Sequence, residues 1–465
     1  MKKFQISFII IALLLSMPAF CLAEEYQSFI STGKLKGVVQ TQRPELVNPE
    51  WWESYNDPKL SGYISEAVSK NHDIKIASLK ILEYESLSRV MFANQLPTLD
   101  LGGTLQNKRT SGNMPMGSMN PGSYTQSTFL FPLTANYELD LWGKNRLNTQ
   151  ASKKETQTMI FDEKAVYISI VSSVATSYFN LAMTDKLIDI QKNIISQKED
   201  KLSLFNAKYA QGLISYDEIN QVQESIQENK AELAELQKQQ NLFLNQLAVL
   251  TGDSVNNTEN YERASIDNVV FPKDIPSQIP SEVVLGRPDV SKAEAQLQKS
   301  KIDVDVARKD YLPTISITGQ FGFYANSMSK VFDWNSAIAS VGGSLLQKLY
   351  TGGRRKAMIK AKKYKYEQLL ESYQKVILTS FQEVNDSLVA YKNDEAKFHE
   401  ISMQYDLIQD DYNLQKSRYD AGLGSYIDLI TTNEKLLLAQ KKLTQTKTAE
   451  LISTISVYKA TAGNL

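Results

Sequence analysis

The stretch Phe129-Leu130-Phe131-Pro132-Leu133-Thr134-Ala135-Asn136-Tyr137-Glu138-Leu139-Asp140-Leu141 places large apolar side chains on alternate residues, with Thr128, Thr134, Asn136, Glu138 and Asp140 between them. A period of two puts the sets on opposite faces of a β-strand. Immediately after it, at Trp142-Gly143, the period changes. Residues 144–209 contain neither Pro nor Gly, and apolar residues recur at three- and four-residue spacings among Lys, Glu, Gln and Ser. Such a pattern is a coiled-coil helix, and at about 1.5 Å per residue it forms a rod of roughly 100 Å. No ordinary globular domain is that thick.

The same sequence of elements occurs twice. Gln95-Leu96-Pro97-Thr98-Leu99-Asp100-Leu101 returns as Tyr311-Leu312-Pro313-Thr314-Ile315-Ser316-Ile317, and Asp73-Ile74 as Asp289-Val290. Gly143-Lys144-Asn145-Arg146 returns as Gly352-Gly353-Arg354-Arg355, and the block from Tyr209 to Tyr216 as the block from Tyr419 to Tyr426. A spacing of about 210–216 residues is a domain-scale duplication, not a solenoid period. The organisation expected is a segment 24–59, a first repeat 60–251, a Pro-rich connector 252–281 and a second repeat 282–465. Strands are expected near 97–107, 125–142, 313–324 and 334–349. Long helices are expected at 143–209, 215–251, 352–421 and 425–462, each pair turning at a glycine, Gly212 or Gly422. Each repeat is thus a β-hairpin carrying a long helical hairpin.

The strands have the length of tilted bilayer-crossing strands, about 10 residues. Aromatic residues gather at and around their ends: Tyr124, Phe129, Tyr137 and Trp142 in one pair, Phe321, Phe323, Tyr324 and Trp334 in the other. Such girdles mark membrane interfaces. A small sheet packed on helices is the competing reading of the strands alone. The N-terminus favours the membrane. Lys2 and Lys3 precede a mostly apolar run, Ile6 to Leu15, and a small-residue exit at Ala23, which reads as an export leader over residues 1–23. Cys21 is open to two fates, removal with the leader or lipidation, with the bulky Phe20 before it. Four strands cannot close a barrel, and lipid tolerates no open sheet edge. A barrel therefore needs several chains.

Composition excludes other classes. Lys+Arg number 51 against 52 Asp+Glu, so there is no basic excess for a nucleic acid. One Cys and two His leave no disulfide framework and no usual zinc site. His72 and His399 lie in polar helical segments and read as surface residues. Thr351-Gly352-Gly353-Arg354-Arg355-Lys356 lacks the phosphate-loop spacing and reads as a strand-to-helix corner. No carboxylate pair is set apart for acid–base work, so no catalytic residue, metal or cofactor is expected.

Three blocks carry a family resemblance: Trp51-Trp52-Glu53-Ser54-Tyr55-Asn56-Asp57-Pro58-Lys59-Leu60 with Asn71 and Asp73, Leu285-Gly286-Arg287-Pro288-Asp289-Val290, and the paired Tyr-x-x-Gly-Leu at 209–213 and 419–423. With them the chain resembles the TolC family of outer-membrane efflux channels, in particular the branch serving resistance-nodulation-division pumps. The resemblance implies a homotrimer whose twelve strands close one barrel in outer-membrane lipid, continued by a periplasmic α-barrel. It also implies a periplasmic adaptor, or membrane fusion protein, and an inner-membrane resistance-nodulation-division pump as partners. The competing function is an exported structural coiled coil with no pore, which would not partition with outer membranes as a trimer.

Candidate residues follow from the duplicated tips. Gly212-Leu213 and Gly422-Leu423 are expected to form the turns that meet the adaptor: Gly supplies a left-handed helix end and Leu an exposed apolar plug. Tyr216, Asp217, Glu218, Asp420, Tyr426 and Asp428 lie within one or two turns and are gate candidates, because three-fold symmetry makes a ring of any lumen-facing carboxylate. Arg287-Pro288-Asp289 reads mainly as a helix start.

Overall fold

The computed structural model describes residues 50–113, 122–256, 261–263, 265–272 and 275–463. The export leader, Cys21 and most of the segment 24–59 lie outside the described residues. After a 3₁₀ turn Trp51–Tyr55, helix α1 (Pro58–Lys70) and helix α2 (His72–Ala93) lead to strands β1 (Thr98–Leu101) and β2 (Thr104–Thr110). Strand β3 (Tyr124–Leu139) then feeds the rods α3 (Lys144–Ala210) and α4 (Tyr216–Thr251). The second repeat runs α5 (Ser281–Leu285), α6 (Pro288–Lys309), β4 (Thr314–Ala325), β5 (Ala337–Leu346), α7 (Arg354–Asp420) and α8 (Tyr426–Ala460).

The 67 residues of α3 and the 67 of α7 each span about 100 Å. The first helical region is split at Asn71, which ends α1 and whose side chain accepts from the amides of Asp73 (2.8 Å) and Ile74 (3.2 Å) to start α2. An Asn at this position satisfies amides that a helix start leaves free.

All strands join one antiparallel sheet in the order β1-β3-β4-β5, with β2 also on β3. Leu101 faces Leu133 and Thr104 faces Leu130. The same step on both chains means that β1 and β2 are halves of one strand with no bulge between them. The gap lies at Gly102-Gly103, opposite Pro132. Pro132 has no N–H to give the ladder, and only its carbonyl is used, by the Gly102 amide at 2.9 Å. The alternation predicts a strand to residue 142, but β3 stops at Leu139. Asp140 turns instead to accept from the amides of Asn145 (3.0 Å) and Arg146 (2.9 Å), capping the start of α3. At the other end β2 reaches Thr110, beyond the expected 107; β5 starts at Ala337 because Trp334–Ser336 forms a 3₁₀ turn, and it ends at Leu346, short of the expected 349.

The main core lies partway along the rods. Trp51, Tyr55, Leu60 and Ile64 pack against Val171, Val174, Tyr178 and Phe179 of α3, with Leu247, Leu451 and Ile455. Trp51 stacks on Tyr458 at 4.9 Å, and Asp57, the cap of α1, accepts the Tyr178 hydroxyl at 2.7 Å. The connector is tied across the helices: Lys186 of α3 pairs with Asp267 at 2.7 Å, and Lys447 of α8 donates to the Asp267 carbonyl at 3.0 Å. Both hairpins hang from this level.

Candidate functional site

The register assigns every strand residue to one of two faces, since residues directly opposite in an antiparallel pair share a side. Leu99 pairs with Ala135, Ala135 with Gly319, and Gly319 with Val341; Leu101, Leu133, Phe321 and Ala339 form the next row. Odd-numbered residues of all five strands therefore lie on one side, and they are apolar through the middle of the sheet. The even side holds Thr98, Asp100, Thr134, Asn136, Glu138, Ser316, Thr318, Gln320 and Ser344. It is laced by hydrogen bonds, Thr318 to Asn136 at 3.1 Å and Ser316 with Ser344 at 2.8 Å. Leu101 is 66% exposed and Val341 84%. A wide apolar sheet face left open beside a polar one is the arrangement of a strand wall between lipid and water. Among the described residues the wall also has two unpaired edges, β1/β2 and β5.

At the far end of the rods the two tips have the same construction. Gly212 and Gly422 adopt φ of 68° and 72°. In the first tip the Leu213 amide donates to Lys208 O at 3.0 Å and the Gly212 amide to Tyr209 O at 2.8 Å; in the second, Leu423 donates to Arg418 O at 2.8 Å and Gly422 to Tyr419 O at 2.9 Å. These paired bonds define the Schellman ending of a helix. A Cβ at either glycine would meet nothing within 4 Å, so the requirement for Gly is conformational. Leu213 and Leu423 are 66% and 82% exposed.

The gate candidates fall into different environments. Tyr216 stacks obliquely on Tyr209, and Tyr426 on Tyr419, with centroids 6.0 and 5.5 Å apart. These rings brace each turn across its own hairpin. Glu218 accepts from the Ser215 amide at 2.8 Å and lies 3.3 Å from the Ser215 hydroxyl. It is occupied as the acid of a capping box, a role that Ser215-x-x-Glu218 advertised. Asp428, three residues after its own Ser425, occupies the matching place but leaves the Ser425 amide alone; Ser425 instead accepts from Ile427. Asp217, Asp420 and Asp428 are exposed.

Higher up, the hairpins are joined. Ile190 and Ile194 of α3 pack on Leu437 of α8, Lys198 pairs with Glu434 at 2.5 Å, and Lys441 with Glu232. Closer to the tips no ion pair or hydrogen bond joins the hairpins among the described residues. None of these ties had a sequence signal, because Lys and Glu are abundant on every rod.

Arg287 is buried and does more than start α6. Its guanidinium donates to Asp289 (3.0 and 2.8 Å), to Glu383 of α7 (2.5 Å) and to the Ala460 carbonyl that ends α8 (2.8 Å). Burial works against ionising Asp289, but the Arg287 guanidinium more than offsets it and holds the carboxyl below its usual range. On α8, Glu450 is also buried, and its Oε2 has no hydrogen-bond partner. Burial, then repulsion from Glu395 and Asp394 on α7, push its pKa to about 7. Among the described residues no cluster of His, Cys, Asp and Glu could hold a metal ion.

A sequence profile of the family described as outer membrane efflux protein matches residues 63–253 and 279–463, one match per repeat. The pyoverdine export outer membrane protein OpmQ of Pseudomonas aeruginosa is 27% identical over 417 residues, covering 89% of this chain and 87% of that one. The solvent efflux pump outer membrane protein SrpC of Pseudomonas putida is 26% identical, covering 93% and 91%. The crystal structure of the Campylobacter jejuni CmeC outer membrane channel superposes with a TM-score of 0.83 at 23% identity, covering 91% of each chain. The two-faced wall, the rods beneath it and a profile match in both repeats agree, and the family is one of channels rather than enzymes. This chain belongs to the outer membrane efflux protein family, the TolC-type channels, and is an efflux channel of the outer membrane.

Proposed function

We propose that the protein works as a homotrimer, with twelve strands closing one barrel and the rods continuing it into the periplasm as a passive duct. The observation that carries this is the sheet itself: one apolar face and, among the described residues, two unpaired edges within a single chain, which lipid does not tolerate. Pairing β5 of one copy with β1/β2 of the next removes both edges. Residues 1–23 then serve as the leader that exports each chain. Purified protein should migrate with the mass of a trimer and give discrete conductance steps in planar bilayers. A monomer that inserts, or a trimer that conducts nothing, overturns it.

The tips are the end at which an adaptor and an inner-membrane pump of the resistance-nodulation-division class engage. Leu213 and Leu423 supply exposed apolar contacts on rigid Schellman turns. Below the Lys198–Glu434 pair no ion pair or hydrogen bond ties the hairpin ends together among the described residues, so docking can spread the tips without unfolding the rods. Leu213→Ser combined with Leu423→Ser should impair efflux while trimer and membrane level stay normal; unchanged drug resistance refutes the tip contact. The cargo is a toxic small molecule passed on by the pump. Relatives of similar identity are named for pyoverdine export and for solvent efflux, which supports a duct whose specificity is set upstream.

A further inference from the structure

The strand-to-helix corners of the two repeats differ in charge: the first is balanced and the second is not. Where β3, β4 and β5 give way to helices, a cavity of about 250 Å³ is lined by charged groups from both corners. In the first corner Lys144 pairs with Asp310 at 2.5 Å, and Arg146 lies 3.4 Å from Asp140. In the second, Arg355 is held to the wall by a 2.9 Å bond to the Lys348 carbonyl and by the Tyr311 ring at 5.4 Å. Among the described residues no carboxylate lies in ion-pair range of Lys348, Arg354 or Arg355. The Glu138 carboxylate lines the same cavity, and among the described residues it too has neither an ion pair nor a hydrogen bond.

The cavity opens on the water side of the sheet. Of the strand residues in its wall, Glu138, Thr314 and Leu346 are even-numbered, and only Leu139, where β3 ends, is odd. Glu138 continues the polar row of Ser316 and Ser344. Glu138, Lys348 and Arg354 are exposed, so opposite charges stand around an open volume instead of closing on one another. Trp142, Leu312 and Met358 give the cavity an apolar wall, and the Trp142 ring is fixed by a 2.7 Å bond from its indole N–H to the Pro313 carbonyl. The volume falls below the roughly 300 Å³ at which drug-sized pockets begin, so the occupant it suits is of amino-acid size.

We propose that this niche binds a zwitterionic small molecule from the water of the duct, its carboxylate at Lys348 and Arg354 and its ammonium group at Glu138. An anion alone would meet Glu138, and a cation alone would meet the three basic groups. A molecule carrying both charges satisfies both sets, and its methylene chain lies against Trp142 and Met358. An exposed ion pair is worth up to about fivefold in affinity, so loss of either charge from the ligand should weaken binding by up to that factor. Three copies of the niche then ring the duct where the barrel meets the rods. The proposal rests on the assignment of the even side to the duct, which trimer conductance tests separately.

The test uses the purified full-length protein in detergent and three probes of matched length: 6-aminohexanoate, which carries both charges, N-acetyl-6-aminohexanoate, which keeps the carboxylate, and 6-aminohexanamide, which keeps the ammonium group. Binding is read at equilibrium by saturation-transfer NMR, which needs no conduction. The zwitterion should bind at least threefold tighter than either other probe. Glu138→Gln should erase its advantage over the acetylated probe and leave its advantage over the amide. Lys348→Gln with Arg354→Gln should erase its advantage over the amide. Lys416→Gln, the same charge change far down α7, should alter neither. Equal binding of the three probes by the unaltered protein overturns the proposal whatever the variants do. So does an advantage that survives its substitution, and so does tighter binding of the acetylated probe, which would make the niche a plain anion site.

Discussion

Replacing Leu101 with arginine distinguishes a sheet side that meets lipid from one that meets water. Leu101 stands in the row Leu101–Leu133–Phe321–Ala339, close to the middle of the apolar band that runs from Leu139 to Phe129 along β3. It is 66% exposed within the chain, so the substitution removes little intrachain packing. If that side faced water, the cost would stay within about 0.5 kcal/mol, as for other exposed positions. Facing lipid near mid-membrane, the arginine costs about 2–4 kcal/mol per chain, or roughly 6–12 per trimer. Thr104→Arg, three residues on and on the even side opposite Leu130, should cost well under half of this, because a lumen residue keeps its water. Urea unfolding from phosphatidylcholine vesicles, followed by tryptophan fluorescence, measures both. Equal costs at the two positions, or a larger cost at Thr104, would refute the assignment of the faces.

Asp428→Ala should change cation selectivity or divalent block in planar bilayers, and Asp217→Ala should do less; if neither alters conductance, selectivity or block, the gate lies elsewhere. Arg287→Ala leaves the Ala460 carbonyl and two carboxylates without their shared donor. It should cost about 2–3 kcal/mol in denaturant unfolding, below the range for a fully buried pair because both acids are half-exposed, and a cost under about 0.5 kcal/mol would remove the clamp. Glu450 binds its proton more tightly folded than unfolded, so its stabilising contribution is complete below the ordinary glutamate range and is lost as pH rises through about 7. Glu450→Gln should therefore raise Tm at pH 8 and flatten its decline between pH 5 and 8; an unchanged slope shows that the group is not titrating there.

The rods and the strand parity were legible because they are written in long, regular patterns. Uninterrupted runs free of Pro and Gly with apolar residues three and four apart fit helix and not strand, and an alternation kept through two repeats allows only one pair of faces. The break at Asn71 between α1 and α2 leaves little trace, because Lys70-Asn71-His72 contains neither Pro nor Gly and only the Asn cap marks it. The overrun of β3 to residue 142 has a similar origin. Leu141 and Trp142 continue the apolar beat, and only the side chain of Asp140, bending to the α3 amides, ends the strand. At the tips the duplication located the glycines, but charge alone nominated Glu218 for the gate when its spacing from Ser215 spelled a cap. The Lys198–Glu434 and Arg287–Glu383 contacts join residues far apart in sequence, and nothing local singles them out.

The longest single ladder in the sheet is the seam between repeats, β3 on β4, running from Phe129 opposite Ala325 to Leu139 opposite Ile315. It has a consequence for the order in which an exported chain can acquire structure. Leu139 meets its partner only after about 180 further residues have followed it, a separation at which closing the loop is slow compared with winding a local hairpin. A chain threaded out N-terminus first can complete the helical hairpin α3–α4 from its own neighbours. Meanwhile β3, paired only with β1/β2, trails an open apolar edge through water. Such edges invite pairing with other chains. The protein's most vulnerable interval is therefore a half-exported one, and a periplasmic holdase that covers β3 until β4 arrives should raise the yield of channel more than one that acts on the helices.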